Sequence, residues 1–174
     1  KIYCTVNPRI QAIIDEIYAD DSNFPASFGG QVLQSSMIIT DPYTGYVVGM
    51  AGGRGSQDGR MTLNRATQTL RQPGSTIKPI AVYAPALEQG LISSSSIIMD
   101  SPITINGWTP RNSDNKFLGA VTVKTAVSKS RNIPAVKVLQ RLTLDKSYDF
   151  LENSVGITSL VDKREQGGKT YSDK

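Results

Sequence analysis

The first part of the chain shows a helical pattern of apolar residues. Asn7 can cap a helix, and Pro8 is tolerated at the first helical position, so the two residues together predict a helix start. Four isoleucines then recur at helical spacing and predict one apolar face: Ile10, Ile13, Ile14 and Ile17. Residues 20–30 are polar and contain Gly and Pro, which predicts a connection.

Two strand-like runs follow this connection. Residues 31–40 and 46–51 are rich in Val, Leu, Met and Ile. The turn sequence Asp-Pro-Tyr-Thr-Gly at 41–45 separates them, so the pattern predicts a β-hairpin. Residues 52–59 are rich in Gly and predict a loop.

The next pattern is a helix that starts at Ser75, directly after the breaker Gly74. Apolar residues recur at helical spacing as far as Gly90, a residue typical of a helix C-terminus. Pro79 falls in the first turn or so, where its missing N–H does little harm. Pro85 is expected to kink the helix.

The remainder of the chain is predicted to be mainly helical. A short strand is expected at 103–105, and helices are expected over 121–129, from near Pro134 through Leu142, and over 146–153 with an end near Gly156. Residues 163–174 are polar and show no strand-like or core-forming pattern.

This order of elements predicts an α+β fold in which helices pack on an antiparallel sheet. A two-stranded hairpin is not stable alone in water, so the sheet needs more strands than the pattern supplies. We therefore expect residues 1–174 to be the N-terminal portion of one domain, with C-terminal strands missing from this chain.

Composition excludes several kinds of chemistry. The 174 residues are 39% hydrophobic and carry a net charge of +4, with Lys and Arg scattered, so no nucleic-acid partner is indicated. There is no His, which removes the Ser-His-Asp triad, and the single cysteine, Cys4, excludes an internal disulfide and a Cys-based metal site. Cys4 is expected to fill a core position. No metal or organic cofactor is implied.

The sequence also bears on location. No apolar run approaches the roughly 18 residues of a membrane span, and no signal peptide is recognisable. The chain begins with Lys1 and has no initiator Met. It is therefore expected to be a piece of a longer protein.

The segment Ser75-Thr76-Ile77-Lys78 carries the first candidate chemistry. A Ser at a helix start and a Lys three residues later lie on the same face, and the positive helix end favours an alkoxide. A partly desolvated Lys can accept the serine proton without histidine. A second copy of the pattern spans 113–116, and a serine cap with a solvated lysine would explain either copy. Only Ser75 follows a Gly break and opens an apolar-periodic helix, so Ser75 is the preferred nucleophile.

The second candidate is Ser130-Arg131-Asn132, between two predicted helices. The Ser130 hydroxyl could relay a proton between Lys78 and a leaving amine, and the Asn132 amide could hold a substrate backbone. An ordinary inter-helix loop with Asn132 as a cap is the alternative. The triplet at 113–115 has the same Ser-x-Asn form but lacks flanking helices on both sides. It is kept as a lesser candidate and is expected to be a structural turn.

Together these segments resemble the transpeptidase domain of penicillin-binding proteins, most closely the bifunctional class A type. That family carries Ser-x-x-Lys, Ser-x-Asn and Lys-Thr-Gly motifs. The resemblance spans residues 5–156, and its most specific stretch runs from Asn64-Arg65-Ala66-Thr67 into 71–79. Further matching segments occur in the family's order, at 5–8, 40–45, 49–54, 110–112, 119–122 and 130–136.

The resemblance implies a mechanism and a setting. Ser75 would attack the D-alanyl carbonyl of a peptidoglycan stem peptide, with Lys78 as base, Ser130 as proton relay and Asn132 as substrate-positioning group. The acyl-enzyme would be taken by an amine of a neighbouring stem peptide, and β-lactams would acylate the same serine. The resemblance further implies an extracytoplasmic protein, held to the bacterial membrane by a segment absent from this chain, with an upstream glycosyltransferase domain.

One departure from the family pattern concerns the third motif. No Lys-Thr-Gly or Lys-Ser-Gly triplet occurs, and Lys169-Thr170 is followed by Tyr171 where Gly is required. Residues 167–171 are therefore rejected as the motif. The remainder of the domain is expected to be truncated, removed by proteolysis or carried on a second chain.

Two other functions share the Ser-Lys chemistry. A class A β-lactamase would resemble a Glu-x-x-Leu-Asn pattern downstream of Ser130, and Glu152-Asn153 does not match it. A penicillin-binding sensor or an inactive peptidoglycan-binding module would retain the acylation residues. A cross-linking assay on the full-length protein separates these last two from the enzyme.

Overall fold

The computed structural model describes residues 1, 3–55 and 62–173. The chain divides into two units, Lys1–Gln72 and Pro73–Lys174. The predicted loop at 52–59 lies partly outside the described residues, because its description ends at Gly55.

The first unit contains the predicted helix and hairpin. Helix α1 spans Pro8–Ala19, and the Asn7 side chain accepts hydrogen bonds from the N–H groups of its first turn, as the sequence predicts. Strands β1 (Met37–Thr40) and β2 (Val47–Ala51) pair antiparallel. The hairpin is confirmed, although β1 covers only the end of the predicted run.

Helix α1 packs closely on β2 at Gly49. A β-carbon at Gly49 would lie 2.7 Å from Cδ1 of Ile14 and 2.9 Å from Cγ2 of Ile10, so a larger residue would force these side chains away from the strand. The small core of this unit consists of Ile14, Tyr18 and Ala51, with Ile10, Phe24 and Ile39 packed against it.

The predicted apolar face of α1 is therefore only partly correct. Ile13 is 58% exposed and Ile17 is 44% exposed. The sheet has two strands and is narrow. It covers the stripe formed by Ile10, Ile14 and Tyr18, which lie four residues apart, and leaves Ile13 and Ile17 exposed. Cys4 is also exposed, so the expectation that it fills a core is wrong. The pattern did not predict the short helix α2 (Arg65–Gln68), which Asn64 caps.

The second unit begins with the helical segment that carries Ser75. Its extent matches the prediction, but it contains a 3₁₀ turn (Gly74–Ile77), a π turn (Pro79–Tyr83) and helix α3 (Ala84–Glu88). Pro85 has no N–H to donate to the Ala81 carbonyl four residues earlier. Instead the hydroxyl of Ser147 donates to that carbonyl at 2.6 Å. This contact stabilises the irregular geometry around the proline.

The structure contains a second hairpin that the sequence did not predict. Strands β3 (Ile97–Asp100) and β4 (Gly119–Thr122) pair antiparallel. The helix predicted to start at Val121 begins instead at Val123, because the Thr122 hydroxyl caps it. The strand predicted at 103–105 is wrong, since Ile105 forms only an isolated bridge with Trp108.

Three helices complete the core of this unit. Helices α4 (Val123–Ser128), α5 (Asn132–Leu142) and α6 (Leu144–Asp149) are followed by a π turn at Phe150–Ser154. Helix α5 lies centrally and packs against β3, the first π turn and the other two helices. Its side chains Ile133, Val138 and Leu142 are almost completely buried. The predicted fold class, helices with antiparallel sheet, is confirmed in the form of helices and small two-stranded sheets.

The prediction that residues 163–174 contain no strand is wrong. Strands β5 (Arg164–Gln166) and β6 (Lys169–Tyr171) form an antiparallel hairpin where no strand was expected. Gly167 and Gly168 both have positive φ angles, 59° and 72°, as a tight two-residue turn requires. Every residue of the two strands is exposed, so the strands need no apolar pattern. The turn specifies this hairpin.

Candidate active site

Lys78 lies where the 3₁₀ turn meets the π turn, and its side chain reaches the loop between α4 and α5. Its Nζ donates to the Ser130 carbonyl at 2.8 Å, to Ser130 Oγ at 3.2 Å and to Asn132 Oδ1 at 2.5 Å. Residues more than 50 positions apart in sequence therefore meet here. The structure brings together three of the four side chains that the sequence singled out.

Ser75 joins this group at a small cavity. Ser75, Lys78 and Ser130 line a cavity of about 30 Å³, together with Pro79, Tyr83 and Val127. Ser75 is exposed, and no hydrogen bond joins its hydroxyl to Lys78 in the described part of the chain. The four predicted residues thus share one side of the unit, with the serine hydroxyl accessible.

Partial burial makes Lys78 easier to deprotonate. Partial burial of the side chain lowers the pKa of the Lys78 amine below its ordinary value. Its three acceptors are a carbonyl, a hydroxyl and an amide oxygen, none of which carries a negative charge. Desolvation therefore acts on this lysine without a contacting carboxylate to offset it. Such a lysine is suited to accept a proton.

The backbone at Ser130 adopts an unusual conformation. Its φ angle is 48°, in the left-handed region that residues other than glycine rarely adopt. The N–H groups of Ser130 and Arg131 donate to the Val127 and Ala126 carbonyls at 2.9 Å each, which ends α4. This turn directs both the carbonyl and the hydroxyl of Ser130 towards Lys78.

Arg131 anchors this turn from inside the protein. Its side chain is buried, and Nε donates to Asp100 Oδ2 at 2.8 Å, where Asp100 is completely buried at the end of β3. Nη1 donates to Asp114 Oδ2 at 2.8 Å, and Nη2 donates to the Lys116 carbonyl. The hydrogen bonds to Asp114 and Asp100 raise the pKa of the Arg131 guanidinium. The middle residue of Ser-Arg-Asn thus points inward while its neighbours face Lys78.

Asn112 completes the support. Its side chain is 3% exposed, and its Oδ1 accepts from the Asn132 and Ile133 N–H groups at 2.8 and 3.2 Å, which caps α5. Its Nδ2 donates to Asp100 Oδ1 at 2.8 Å and to the Lys116 carbonyl at 2.9 Å. Arg131, Asp100 and Asn112 form one buried polar network behind the loop, and we call it the supporting network.

Asn132 is held at both ends of its amide. Its Oδ1 accepts from Lys78, and its Nδ2 donates to the Arg111 carbonyl at 2.7 Å. An amide nitrogen has two N–H groups, and the Arg111 contact uses one of them. The side chain therefore orients Lys78 and retains the capacity to donate to another group.

Lys78 and Asn132 also line a larger groove, which has a volume of about 370 Å³. The walls of this groove are mainly apolar. The lining residues are Lys78, Val82, Trp108, Thr109, Pro110, Arg111, Asn132, Ala135, Val136 and Leu139.

The sequence did not single out the supporting network. The triplet Pro110-Arg111-Asn112 entered only as part of the resemblance, and Asp100 had no signal except its place after an apolar run. The lesser candidate at 113–115 lies in a turn, where Asp114 accepts from the Lys116 N–H at 3.0 Å and pairs with Arg131. The structure thus places it behind the loop rather than at the cavity with Ser75.

Comparison with protein families identifies the chain. The model of the penicillin-binding protein transpeptidase domain matches residues 35–172. The chain belongs to this family. The resemblance inferred from the sequence motifs is confirmed.

Curated relatives agree with this family membership. Penicillin-binding protein 1A of Streptococcus oralis is 38% identical over 163 residues, which cover 90% of this chain and 25% of the relative. Penicillin-binding protein 1A/1B of Bacillus subtilis is 37% identical over 158 residues, covering 90% of this chain and 16% of the relative. The chain therefore spans a quarter or less of the length of these two relatives.

Solved structures show the same fold. Penicillin-binding protein 1A from Haemophilus influenzae matches with a TM-score of 0.61 and 34% identity, over 68% of this chain and 18% of that one. The PonA1 protein from Mycobacterium tuberculosis, solved in complex with penicillin V, matches with a TM-score of 0.71 over 97% of this chain and 43% of that one. The second match is 23% identical and is a likeness of fold.

Proposed function

We propose that the chain is the N-terminal portion of a serine D,D-transpeptidase domain that cross-links peptidoglycan stem peptides. One observation carries the proposal: Lys78 Nζ lies at hydrogen-bond distance from Ser130 and Asn132, and shares a cavity with Ser75. The family match supports the reaction class. The remaining sequence of the domain, with its Lys-Thr-Gly segment, is proposed to follow on the same chain or on a second one.

Acylation begins with the transfer of one proton. The neutral amine of Lys78 takes the proton from the Ser75 hydroxyl as Ser75 Oγ attacks the carbonyl carbon of the penultimate D-alanine. Burial lowers the pKa of Lys78, which increases the share of the neutral amine at any given pH. The resulting ammonium has three N–H groups, and the contacts with Ser130 and Asn132 provide three acceptors for them.

Ser130 completes acylation as a proton relay. Its hydroxyl lies 3.2 Å from Lys78 Nζ, so it can accept a proton from the ammonium while it donates its own to the leaving D-alanine nitrogen. The carbon–nitrogen bond then breaks and leaves an ester on Ser75. An amine of a second stem peptide attacks the carbonyl carbon of that ester and forms the new amide bond. The bond between this carbon and Ser75 Oγ then breaks, and the amine proton passes through Ser130 and Lys78 to Ser75 Oγ, which restores the free serine.

β-Lactams are proposed to acylate Ser75 in the same way. A structural neighbour with the same fold was solved with penicillin V. A β-lactam ring opens when its carbonyl is attacked, and the leaving nitrogen stays attached to the adduct. The acceptor amine is then hindered from entering, so the ester is expected to persist.

The setting of the whole protein is also a proposal. None of the helices within the described ranges is long and apolar enough to span a bilayer. The relatives named penicillin-binding protein 1A are much longer than this chain. We propose an extracytoplasmic domain that is anchored to the membrane through a separate segment and preceded by a glycosyltransferase domain.

Intact-mass spectrometry of the complete domain with penicillin tests the nucleophile. The expected result is one stable adduct per molecule that is absent from the Ser75→Ala variant. Ser113→Ala is the matched control and keeps the adduct. A folded domain without an adduct, or an adduct that survives Ser75→Ala, contradicts the assignment of Ser75.

Two further measurements separate the enzyme from its rivals. Rapid turnover of a chromogenic cephalosporin by the complete domain would indicate a hydrolase. A cross-linking assay with the full-length protein and peptidoglycan precursor is expected to yield cross-linked product. A protein that forms the adduct and makes no cross-links would be a sensor.

A further inference from the structure

The first turn of helix α5 takes its hydrogen-bond acceptor from a distant residue. The preceding residue, Arg131, makes no side-chain cap within the described part of the chain, and its guanidinium points inward to two carboxylates. Pro134 has no N–H, so Asn132 and Ile133 carry the N–H groups of the first three helical residues. Both of these groups donate to the side chain of Asn112, which lies 20 positions before Asn132.

The amide of Asn112 uses its full hydrogen-bonding capacity. Its Oδ1 accepts from the N–H groups of Asn132 and Ile133 at 2.8 and 3.2 Å, one for each lone pair. Its Nδ2 donates to Asp100 Oδ1 at 2.8 Å and to the Lys116 carbonyl at 2.9 Å. A rotated amide would turn its own N–H groups towards two other N–H groups, so these partners allow one orientation. The oxygen is therefore fixed at the start of α5.

Burial makes the start of α5 depend on this oxygen. Asn112 is 3% exposed and Ile133 is completely buried. A buried N–H group without a partner is unfavourable, so loss of the Asn112 oxygen should make the first turn of the helix rearrange until its N–H groups find other acceptors. Asn132 is the first residue of that turn, and it moves with the turn.

Asn132 joins this buried contact to the reacting residues. Its N–H binds Asn112, while its side-chain oxygen accepts from Lys78 Nζ at 2.5 Å. We propose that Asn112 is a positioning residue for acylation, which fixes the backbone of Asn132 and thereby the contact between Asn132 and Lys78. The inference rests on the proposed role of Lys78. Within the supporting network, Asn112 then acts on the reaction rate, whereas the ion pair of Arg131 with Asp100 acts mainly on stability.

The first test measures the second-order rate constant for acylation by a fluorescent penicillin, using the complete domain. Asn112→Ala removes the oxygen, and we expect a rate constant lower by roughly 10- to 100-fold, the loss that a displacement of about 1 Å can cause. Val138→Ala is the control, because Val138 is buried in the same helix and its truncation lowers stability away from the helix start. The folded control should keep the wild-type rate. A folded Asn112→Ala variant with the wild-type rate overturns the proposal, and so do equal losses in the two variants.

Asn112→Asp separates positioning from stability. The introduced carboxyl group keeps an oxygen for the two N–H groups of the helix, but its other oxygen faces the Asp100 carboxylate. Two buried carboxyl groups in contact share a proton, so this variant retains the geometry and loses stability. We expect the acylation rate to stay within about threefold of wild type, because the acceptor remains, while the midpoint of urea unfolding falls. A rate that falls as far as in Asn112→Ala would show that the rate follows stability, and would overturn the proposal.

A double-mutant cycle shows whether Asn112 acts through Asn132. In the Asn132→Ala background the side-chain contact with Lys78 is already absent, so Asn112→Ala should lower the rate by no more than about threefold further. Losses that multiply in the double variant mean that Asn112 acts by another route, and the proposal is then wrong. Should Asn112→Ala fail to fold, Asn112→Ser replaces it in each comparison. The serine oxygen lies one bond nearer the backbone and is too short to hold both N–H groups, so the same loss is expected and a wild-type rate overturns the proposal.

The outcome is distinct from the test of the proposed function. If Ser75→Ala abolishes the penicillin adduct while Asn112→Ala keeps the wild-type rate, the transpeptidase assignment stands and the positioning role of Asn112 is wrong. If Ser75→Ala retains the adduct, the proposed nucleophile is wrong whatever the Asn112 variants do.

Discussion

The second unit contains the Ser-x-x-Lys pattern twice, and the two copies differ completely in their surroundings. In the first, Ser75 starts a helical segment and Lys78 reaches across to Ser130 and Asn132. In the second, at 113–116, the side chain of Asp114 binds the backbone of its own turn and Arg131. The pattern therefore gains chemical meaning only from the helix that follows it and the loop that its lysine reaches.

The second copy nevertheless contributes to the first. The Lys116 carbonyl accepts from both Arg131 and Asn112, and Asp114 pairs with Arg131. These contacts hold the loop that presents Ser130 and Asn132 to Lys78. One copy thus supplies reactive side chains, and the other supplies backbone and carboxylate groups that fix their geometry.

The largest expected difference between the copies lies in their lysines. Lys78→Met should lower the rate of penicillin acylation by roughly 10²- to 10⁴-fold, the usual contribution of a positioned general base. Lys116→Met should change this rate by no more than about twofold, because the side chain of Lys116 is exposed and its contacts with Arg131 and Asn112 use the backbone carbonyl. Stopped-flow measurement with a fluorescent penicillin compares the two. Equal losses would show that the proposed distinction between the copies is wrong.

The next largest effect concerns the two carboxylates that hold Arg131. Asp100 is completely buried, whereas the Asp114 side chain is 44% exposed. Asp100→Asn removes the buried charge partner of Arg131 and leaves it paired with the partly exposed Asp114, and it should lower the free energy of unfolding by about 3–5 kcal/mol. Asp114→Asn should lower the free energy of unfolding clearly less, because water can reach this exposed site and solvate the guanidinium group of Arg131 that loses its partner. Urea unfolding of the complete domain gives both values, and a larger loss for Asp114→Asn would contradict this account of the supporting network.

The sequence predicted the features that a few adjacent residues specify, and it missed those that depend on pairing between distant segments. The cap at Asn7, the hairpin turn at 41–45 and the helix start at Ser75 are specified by a few adjacent residues, and all three were predicted. Strand β3 was missed because its pairing with β4 joins segments about 20 residues apart. The exposed hairpin β5–β6 was missed because its two-glycine turn, rather than an apolar pattern, specifies it.

The site followed the same rule. The family motifs identified Ser75, Lys78, Ser130 and Asn132, whose side chains the structure places on one side of the second unit. The supporting network depends on the approach of β3, the 112–116 turn and the start of α5, which no local pattern records.

The smallest expected effect is a shift in pH dependence, and it tests why the first lysine is reactive. Burial lowers the pKa of Lys78, and the acylating form is the neutral amine. The rate should therefore rise with pH along a limb that lies below the ordinary pKa of lysine. Asn132→Asp places a carboxylate where the amide oxygen contacts Nζ, which favours the ammonium and should move this limb up by roughly 1–3 pH units. The residual acylation rate of the complete domain, measured across pH, gives the position of the limb. An unchanged limb in a folded Asn132→Asp variant would mean that a group other than Lys78 accepts the proton, and the two copies of the pattern would then differ in structure without differing in chemistry.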